Sequence, residues 1–204
     1  MKTKPVLRSV YESQDEILNA IKSLHCPKGF DCDMTYGRGV FWKKIKKPAL
    51  CYDITPMCPG VIAGDSRMLP LEQQSISSAV FDPPFLTYIR NGRAHKNGAM
   101  ALSKRFGGYW SYAELEDHYR DSISEAYRVL KSHGKFIVKT QDIIHNHKMH
   151  ATHVRVIQMA DIEGFRLLDQ FILVAQHRMP SPQKGKQRHA RIHHCFFLVF
   201  EKRA

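Results

Sequence analysis

Polar and apolar residues follow two rhythms along this chain. Ile17, Leu18, Ile21 and Leu24 recur at the spacing of one helix face, behind Ser13-Gln14-Asp15-Glu16, which has the Ser-to-Glu spacing of a capping box. A helix is predicted over 14–24, ended by Pro27 and Gly29. Phe30-Asp31-Cys32-Asp33-Met34 alternates as a short strand does. Val40 to Lys47 reads as a helix start anchored by Phe41 and Trp42 and stopped by Pro48. Ala49 to Asp53, Val61 to Asp65 and Val80-Phe81-Asp82 read as three further strands, each ending in an acid. Residues 86–110, punctuated by Asn91-Gly92, Asn97-Gly98 and Gly107-Gly108, read as a long loop, too long to be an idle connection. Ser111 to Ser132 is the strongest helix pattern. It opens with a second capping box, Ser111 to Glu114, keeps Tyr112, Leu115, Tyr119, Ile123, Ala126, Tyr127 and Leu130 on one face, and has Gly134 where a C-terminal glycine belongs. Lys135 to Lys139 reads as a fifth strand, about Lys148 to Glu163 as a helix, and Phe165 to Ala175 and Cys195 to Phe200 as two final strands.

Strands that alternate with helices indicate an α/β fold with a mainly parallel sheet. The last two strands, with no helix between them, predict an antiparallel C-terminal hairpin at one edge. A chain of 204 residues fits a single domain, 1–204, and can bury a core. With 43% hydrophobic and 25% charged residues it is globular in composition. No apolar run approaches the length of a membrane span, and the start lacks the apolar region of a signal peptide. The cysteines at 26, 32, 51, 58 and 195 are odd in number and form no C-x-x-C pair, which points to free thiols in a reducing compartment.

The formal net charge of +12 favours a polyanionic partner. It is concentrated in two acid-free stretches. Arg90, Arg93, Lys96, Lys104 and Arg105 lie in the 86–110 loop; Lys184, Lys186, Arg188 and Arg191 lie in the 177–194 loop. Both loops are candidate substrate-recognition elements that would contact phosphates.

Asp33, Asp53 and Asp65 sit at successive strand ends, where open parallel sheets bind ligands. Asp33 precedes the glycine turn Gly37-Arg38-Gly39. Glycines there let backbone approach a ligand, and the helix start offers free N–H donors. The dinucleotide fingerprint fails because Trp42 stands where its third glycine belongs, and no Gly-Lys-Ser/Thr follows for a phosphate loop. A cofactor without a pyrophosphate remains: a nucleoside with a charged amino-acid tail matches, as in S-adenosylmethionine. Asp82-Pro83-Pro84-Phe85 closes the fourth strand. The two prolines stiffen the backbone, so a carboxylate, a carbonyl acceptor and an aromatic face are held close together. That set suits a planar base with an exocyclic amine. A strand-terminating turn is the plainer reading of the same residues.

The run Asp33-Met34-Thr35-Tyr36-Gly37-Arg38-Gly39-Val40-Phe41-Trp42 resembles the cofactor motif of the amino-methylating (adenine-N6 and cytosine-N4) DNA methyltransferases. Asp82-Pro83-Pro84-Phe85 resembles their catalytic motif, and Glu125 to Lys131 with Gly134 resembles their later core. The resemblance covers roughly residues 10 to 202. It implies a Rossmann-like, S-adenosylmethionine-dependent methyltransferase fold. It implies that Gly37 and Gly39 lie beneath the cofactor's amino-acid part with Asp33 nearby, that Asp53 binds the ribose hydroxyls, and that Asp65 with Ser66 binds the adenine. Asp82 and the Pro83 carbonyl would accept from the target amine, Pro84 would stiffen the hook, and Phe85 would stack on the flipped base. An acid at the head of the hook resembles the adenine-modifying form.

The expectation is therefore an adenine-N6 DNA methyltransferase, monomeric or homodimeric, in the cytoplasm of a bacterium or encoded by a phage. An RNA base methyltransferase on the same core stays open, as does a nucleic-acid-binding protein that has lost catalysis. A protein-glutamine methyltransferase fits less well, since its related hook begins with asparagine. Lys139, Gln141 and Asp142 would line the site end of the sheet, and Tyr11 and Gln14 would lie near the cofactor's tail; loop and capping roles explain them nearly as well. No metal site is expected. Of His145, His147, His150 and His153, the last two could share a helix face, but no cysteine or carboxylate completes a tetrahedral set.

Overall fold

The computed structural model describes residues 6–85, 87, 108–109, 111–175 and 186–204, with 89–90 and 93–94 described in backbone only. In chain order the elements are β1 (Val10–Tyr11), α1 (Gln14–Leu24), β2 (Cys32–Asp33), a 3₁₀ turn (Val40–Trp42), β3 (Leu50–Asp53), β4 (Ile62–Ala63), β5 (Ile76–Phe81), β6 (Ile89–Arg90) and β7 (Arg93–Ala94). There follow α2 (Tyr112–Val129), β8 (Leu130–Thr140), β9 (Ile143–His145), β10 (Lys148–His150), α3 (Thr152–Glu163), β11 (Phe165–Val174) and β12 (His194–Lys202).

Eight strands form one sheet in the order β4-β3-β2-β5-β8-β12-β11-β1. β12 runs antiparallel to both of its neighbours and every other pairing is parallel. The chain travels outward from β2 through β3 to β4, then returns to lay β5 on the other side of β2. That reversal is the switch point at whose carboxyl end open α/β sheets bind ligands.

Successive strand residues point to opposite faces, so each central strand feeds two cores. Phe81, Phe136, Val138, Leu198 and Phe200 pack with Leu115, Tyr119, Ile123 and Ala126 of α2 and Val156 and Ala160 of α3. Val80, Ile137, Phe197 and Val199 pack with Ile17, Leu18 and Ile21 of α1 and with Phe41 and Trp42. Central strands covered on both faces have the near-continuous apolar runs read in the sequence.

The structure corrects several expectations. Ser13 is the N-cap of α1 but makes no side-chain cap bond, whereas the Ser111 hydroxyl accepts from Glu114 N at 3.2 Å as its box predicts. The helix expected over 40–47 is a single 3₁₀ turn. Phe41 and Trp42 are buried while lysines crowd the following residues, so burial anchors the turn and like charge opposes its extension. The helix expected from Lys148 begins at Thr152, because β9 and β10 form a hairpin around Asn146 and His147. Both turn residues have positive φ (49° and 59°), the geometry of a two-residue type I′ turn, which Asn tolerates.

Gly134 is no helix cap: α2 passes directly into β8 at an extended Leu130. The β5–β8 register runs from Ile76↔Leu130 to Ser78↔Lys135, so 131–134 bulge outward and His133 takes φ 60°. A Cβ on Gly134 would lie 2.8 Å from the Lys131 carbonyl, so close packing selects glycine there. The C-terminal hairpin is present as β11–β12, but β1, expected as no strand, pairs outside it and takes the edge. Within the expected 86–110 loop, β6 and β7 pair antiparallel.

Candidate active site

The site is built at the carboxyl ends of β2 and β5. Asp33 ends β2 and is 2% exposed. Its Oδ1 accepts from Thr35 N at 2.8 Å and its Oδ2 from the Trp42 indole at 2.5 Å. Burial pushes its carboxyl up to about 7; the Trp42 and Thr35 donors oppose that rise, and the charges of Asp82 and Asp53 add to it. Asp33 therefore shapes the turn from within and is occupied by the protein's own donors.

The turn that follows has the backbone that its glycines allow. Gly37 and Gly39 have φ of 56° and 68°. A Cβ on Gly39 would strike the Tyr36 hydroxyl at 2.6 Å, whereas a Cβ on Gly37 would meet nothing within 4 Å. Gly37 thus faces a space that a ligand can fill against bare backbone. Asp53, at the end of β3, holds this turn: its Oδ2 accepts from Gly37 N at 2.7 Å and its Oδ1 from Thr55 N at 2.8 Å.

Asp65 lies two residues beyond β4 and pairs with Arg67 at 2.6 Å, which holds its carboxyl below the usual range. Ser66 is buried and points inward, its hydroxyl 2.8 Å from His118 Nε2 and 2.9 Å from the Ser122 hydroxyl of α2. His118 Nδ1 bonds the Tyr109 hydroxyl. Burial, then the Arg67 charge, push the His118 imidazole down to about 4.

Asp82 follows β5 directly. Its backbone N–H donates to the Thr35 hydroxyl at 2.9 Å, which ties the hook to the β2 turn. Its Oδ2 lies 3.2 Å from Lys139 Nζ. Burial pushes the Asp82 carboxyl up and the Lys139 charge opposes it. Lys139 also donates to Gln14 Oε1 at 3.0 Å, and Gln14 in turn donates to the Phe41 carbonyl at 3.2 Å. Pro83 is buried; Pro84 and Phe85 are half-buried.

The structure therefore brings Asp33, Gly37, Asp53 and Asp82 together through a few shared bonds, and sets Asp65 and Ser66 one strand further out. Thr35 is a connector that the sequence reading assigned no individual role, and Trp42, expected only as an apolar anchor, also donates to Asp33; no spacing rule marks either bond. Gln141 instead bonds the His194 carbonyl, and Asp142 accepts from the His153 ring at 2.7 Å. His150 and His153 share no helix, since His150 lies on β10. Among the described residues no three metal-ligating side chains cluster.

Of the expected nucleic-acid contacts, Lys186, Arg188 and Arg191 are exposed. Lys96, Lys104, Arg105 and Lys184 lie outside the described residues, and Arg90 and Arg93 are described in backbone only. The segment carrying Lys186 to Arg191 meets the β9–β10 hairpin through His189 Nε2, 2.9 Å from the His147 carbonyl. A cavity of about 530 Å³ opens beside this hairpin between α2 and α3, lined by Tyr112, His150 and Arg155 among others; none of the site acids reaches it.

A family model described as DNA methylase, of the N6/N4 type, matches residues 76–204, more than half of the chain. The chain belongs to the DNA methylase family. The matched segment begins at β5 and includes the hook, while the glycine turn lies ahead of it. The fold is the Rossmann-like fold of S-adenosylmethionine-dependent methyltransferases. It is shared with N-methyltransferase NodS from Bradyrhizobium japonicum, at 12% identity and a TM-score of 0.53, over 94% of this chain and 97% of that one. It is shared also with the 1,6-didemethyltoxoflavin-N1-methyltransferase of Burkholderia thailandensis, at 13% identity and a TM-score of 0.52, over 95% and 80%. A Thermus thermophilus protein provisionally named a DNA modification methylase aligns at 17% identity and a TM-score of 0.47, over 69% of this chain. The chain spans about half the length of that protein, 54%. No curated protein sequence matches the chain. Among the described residues of this DNA methylase family member, no helix is long and apolar enough to cross a membrane.

Proposed function

We propose that this chain methylates the exocyclic N6 amine of adenine in DNA, with S-adenosylmethionine as donor. The observation that carries the reading is the coupling of the hook to the glycine turn: Asp82 N–H to Thr35 Oγ1 at 2.9 Å across the β2–β5 switch point. A donor lying over Gly37 and an amine held by the hook would then meet where the two strands end.

When bound, S-adenosylmethionine supplies an electrophilic methyl on a sulfonium, and the sulfur keeps the bonding electrons as the methyl leaves. The residues supply placement. The space over Gly37 admits the donor's amino-acid part, and Asp53, which already fixes that turn, is the ribose-side acid. Asp65, held ionised by Arg67, is the acceptor for the donor's adenine amine, and Ser66 anchors its turn to α2. The Asp82 carboxylate and Pro83 carbonyl accept the target amine's two hydrogens. Delocalisation of the nitrogen lone pair into the ring is thereby reduced, and the pair can point in line at the methyl carbon. Once the N–C bond forms, the cationic nitrogen passes one proton to the Asp82 carboxylate that already accepts from it, and from there to solvent. Phe85 stacks on the base lifted from the helix. Most of the rate comes from orientation, which can supply several orders of magnitude. Lys186, Arg188 and Arg191, together with Arg90, Arg93, Lys96, Lys104, Arg105 and Lys184, neutralise phosphates and set register.

The test supplies labelled S-adenosylmethionine with unmethylated DNA and with bulk RNA, digests the products to nucleosides and identifies them by mass. Label in N6-methyladenine from DNA is expected, with a loss of at least about a hundredfold in Asp82→Ala. Label in N4-methylcytosine or in an RNA nucleoside keeps the placement and replaces the substrate. Cofactor binding without label in any nucleic acid overturns the proposal.

A further inference from the structure

Lys139 occupies a strand position where the pattern calls for an apolar residue. It follows Ile137 on the same face of β8 and sits opposite Phe197 of β12, within the core that α1 covers. Its side chain is 15% exposed. Burying an ammonium among rings is costly unless each of its protons is used. Here two of its three N–H donors are directed to acceptors, the Asp82 carboxylate at 3.2 Å and the Gln14 amide oxygen at 3.0 Å. The rings help to hold it: Nζ stands 5.4 Å from the Phe41 ring centre and 5.7 Å from that of Phe197. Gln14 is fixed in turn by the Phe41 carbonyl. The lysine is thus located by groups from α1, the 3₁₀ turn and β12, and aimed at the acid of the hook.

We propose that Lys139 is a positioning residue that keeps the Asp82 carboxylate ionised and oriented as an acceptor. The proposal rests on the function given above. An acceptor role requires the ionised form, because a protonated carboxyl would present a donor to an amine that is itself donating. Asp82 is under pressure to protonate, since burial raises its carboxyl and Asp33 stands close by with another. A fixed cation beside one oxygen opposes that pressure and leaves the other oxygen for the amine. An apolar side chain at 139 would complete the core but leave the hook without its counter-charge.

The experiment follows Asp82 directly. The chain is labelled with ¹³C at aspartate carboxyls, the Asp82 signal is assigned by its loss in Asp82→Asn, and its titration is compared in wild type, Lys139→Met and Lys139→Arg. The Met variant is expected to titrate at higher pH and the Arg variant near wild type. In parallel, the acid limb of kcat/KM moves to higher pH in Lys139→Met, with about a tenfold loss on that limb and most of the activity kept at alkaline pH. An unmoved Asp82 signal in a folded Met variant overturns the proposal, as does a loss equal at every pH that Arg fails to rescue. If Lys139→Met does not fold, Lys139→Gln carries the same test. Should the wild type transfer no methyl to any nucleic acid, the function reading fails, while the carboxyl titration still decides what Lys139 does to Asp82.

Discussion

Thr35 lies inside the run that resembles a cofactor motif, yet no pattern distinguishes its hydroxyl from any other on a loop. In the folded chain its amide donates to Asp33 and its hydroxyl accepts from Asp82 N–H, so one residue joins the two halves of the site. Thr35→Val keeps the shape and removes the acceptor. It should leave a half-buried N–H unpaired at a cost of about 1–3 kcal/mol and lower kcat by about tenfold, with rescue by Thr35→Ser; steady-state kinetics on the three proteins checks this. His118 offers a residue-scale test on stability. Its imidazole is pushed from 6.5 down to about 4, so the folded state refuses a proton that the unfolded chain takes up. That contribution is whole above about pH 6.5 and is lost as the pH falls towards 4. Asp33, raised to about 7, acts in the opposite sense: its contribution is whole below about pH 4 and is lost as the pH rises through 7. Because the two offset in one protein, the informative quantity is the margin of wild type over His118→Gln. Denaturant unfolding should show that margin narrowing by about 2 kcal/mol between about pH 7 and about pH 4.5.

The glycine turn between β2 and the 3₁₀ turn shows how an element can need the same residue type twice for different reasons. Gly39 is confined by Tyr36 and left-handed; Gly37 is left-handed but open. Gly39→Ala should therefore destabilise the fold by about 1–3 kcal/mol and weaken cofactor binding as a consequence. Gly37→Ala should cost less stability and still lose most of the cofactor affinity, because its methyl enters the space proposed for the ligand. Thermal melts with calorimetric titration of S-adenosylmethionine separate the two; equal effects of both variants on both readouts would contradict this account. At the other end of the sheet, Lys202 is buried and donates to the carbonyls of Tyr127 and Leu130 at 2.6 and 2.9 Å. Its charge satisfies the terminal carbonyls of α2, where a cation suits the helix dipole.

Across the whole molecule the net charge of +12 is the property most open to a simple measurement. Lys148 of the β9–β10 hairpin and Arg188 and Arg191 of the segment that meets it are exposed. If this face carries phosphate, DNA binding should weaken steeply with salt. The triple variant Lys148→Ala, Arg188→Ala, Arg191→Ala should then reduce the slope of log K against log salt by about 2–3. Fluorescence anisotropy on a DNA duplex at several ionic strengths checks it, and an unchanged slope would place the contacts elsewhere.

The alternation of apolar strands with helices, α1 to its end residues, the two last strands and the strand-end acids Asp33 and Asp53 were legible in the sequence, because each is written in local periodicity, whereas β4 stops at Ala63 and β5 at Phe81, so that Asp65 and Asp82 lie just beyond their strands. The end of β5 ahead of Asp82-Pro83-Pro84-Phe85 was legible too, because proline acts on its own neighbours. What local rhythm could not carry was decided by contacts between distant residues. The 3₁₀ turn is anchored by the burial of Phe41 and of Trp42, which is tied to Asp33, and Gly134 serves a bulge set by the β5–β8 register. β1, only two residues long, exists as a strand because β11 offers it an edge. The hairpin at Asn146 and His147 was readable in principle, but its turn lacks the glycine that usually marks one. The joining of Asp33, Thr35, Asp82, Lys139 and Gln14 into one network depends on β2, β5 and β8 lying side by side and on α1 covering their ends. Only the folded sheet brings residues more than a hundred positions apart to within 3 Å, as it does for Gln14 and Lys139.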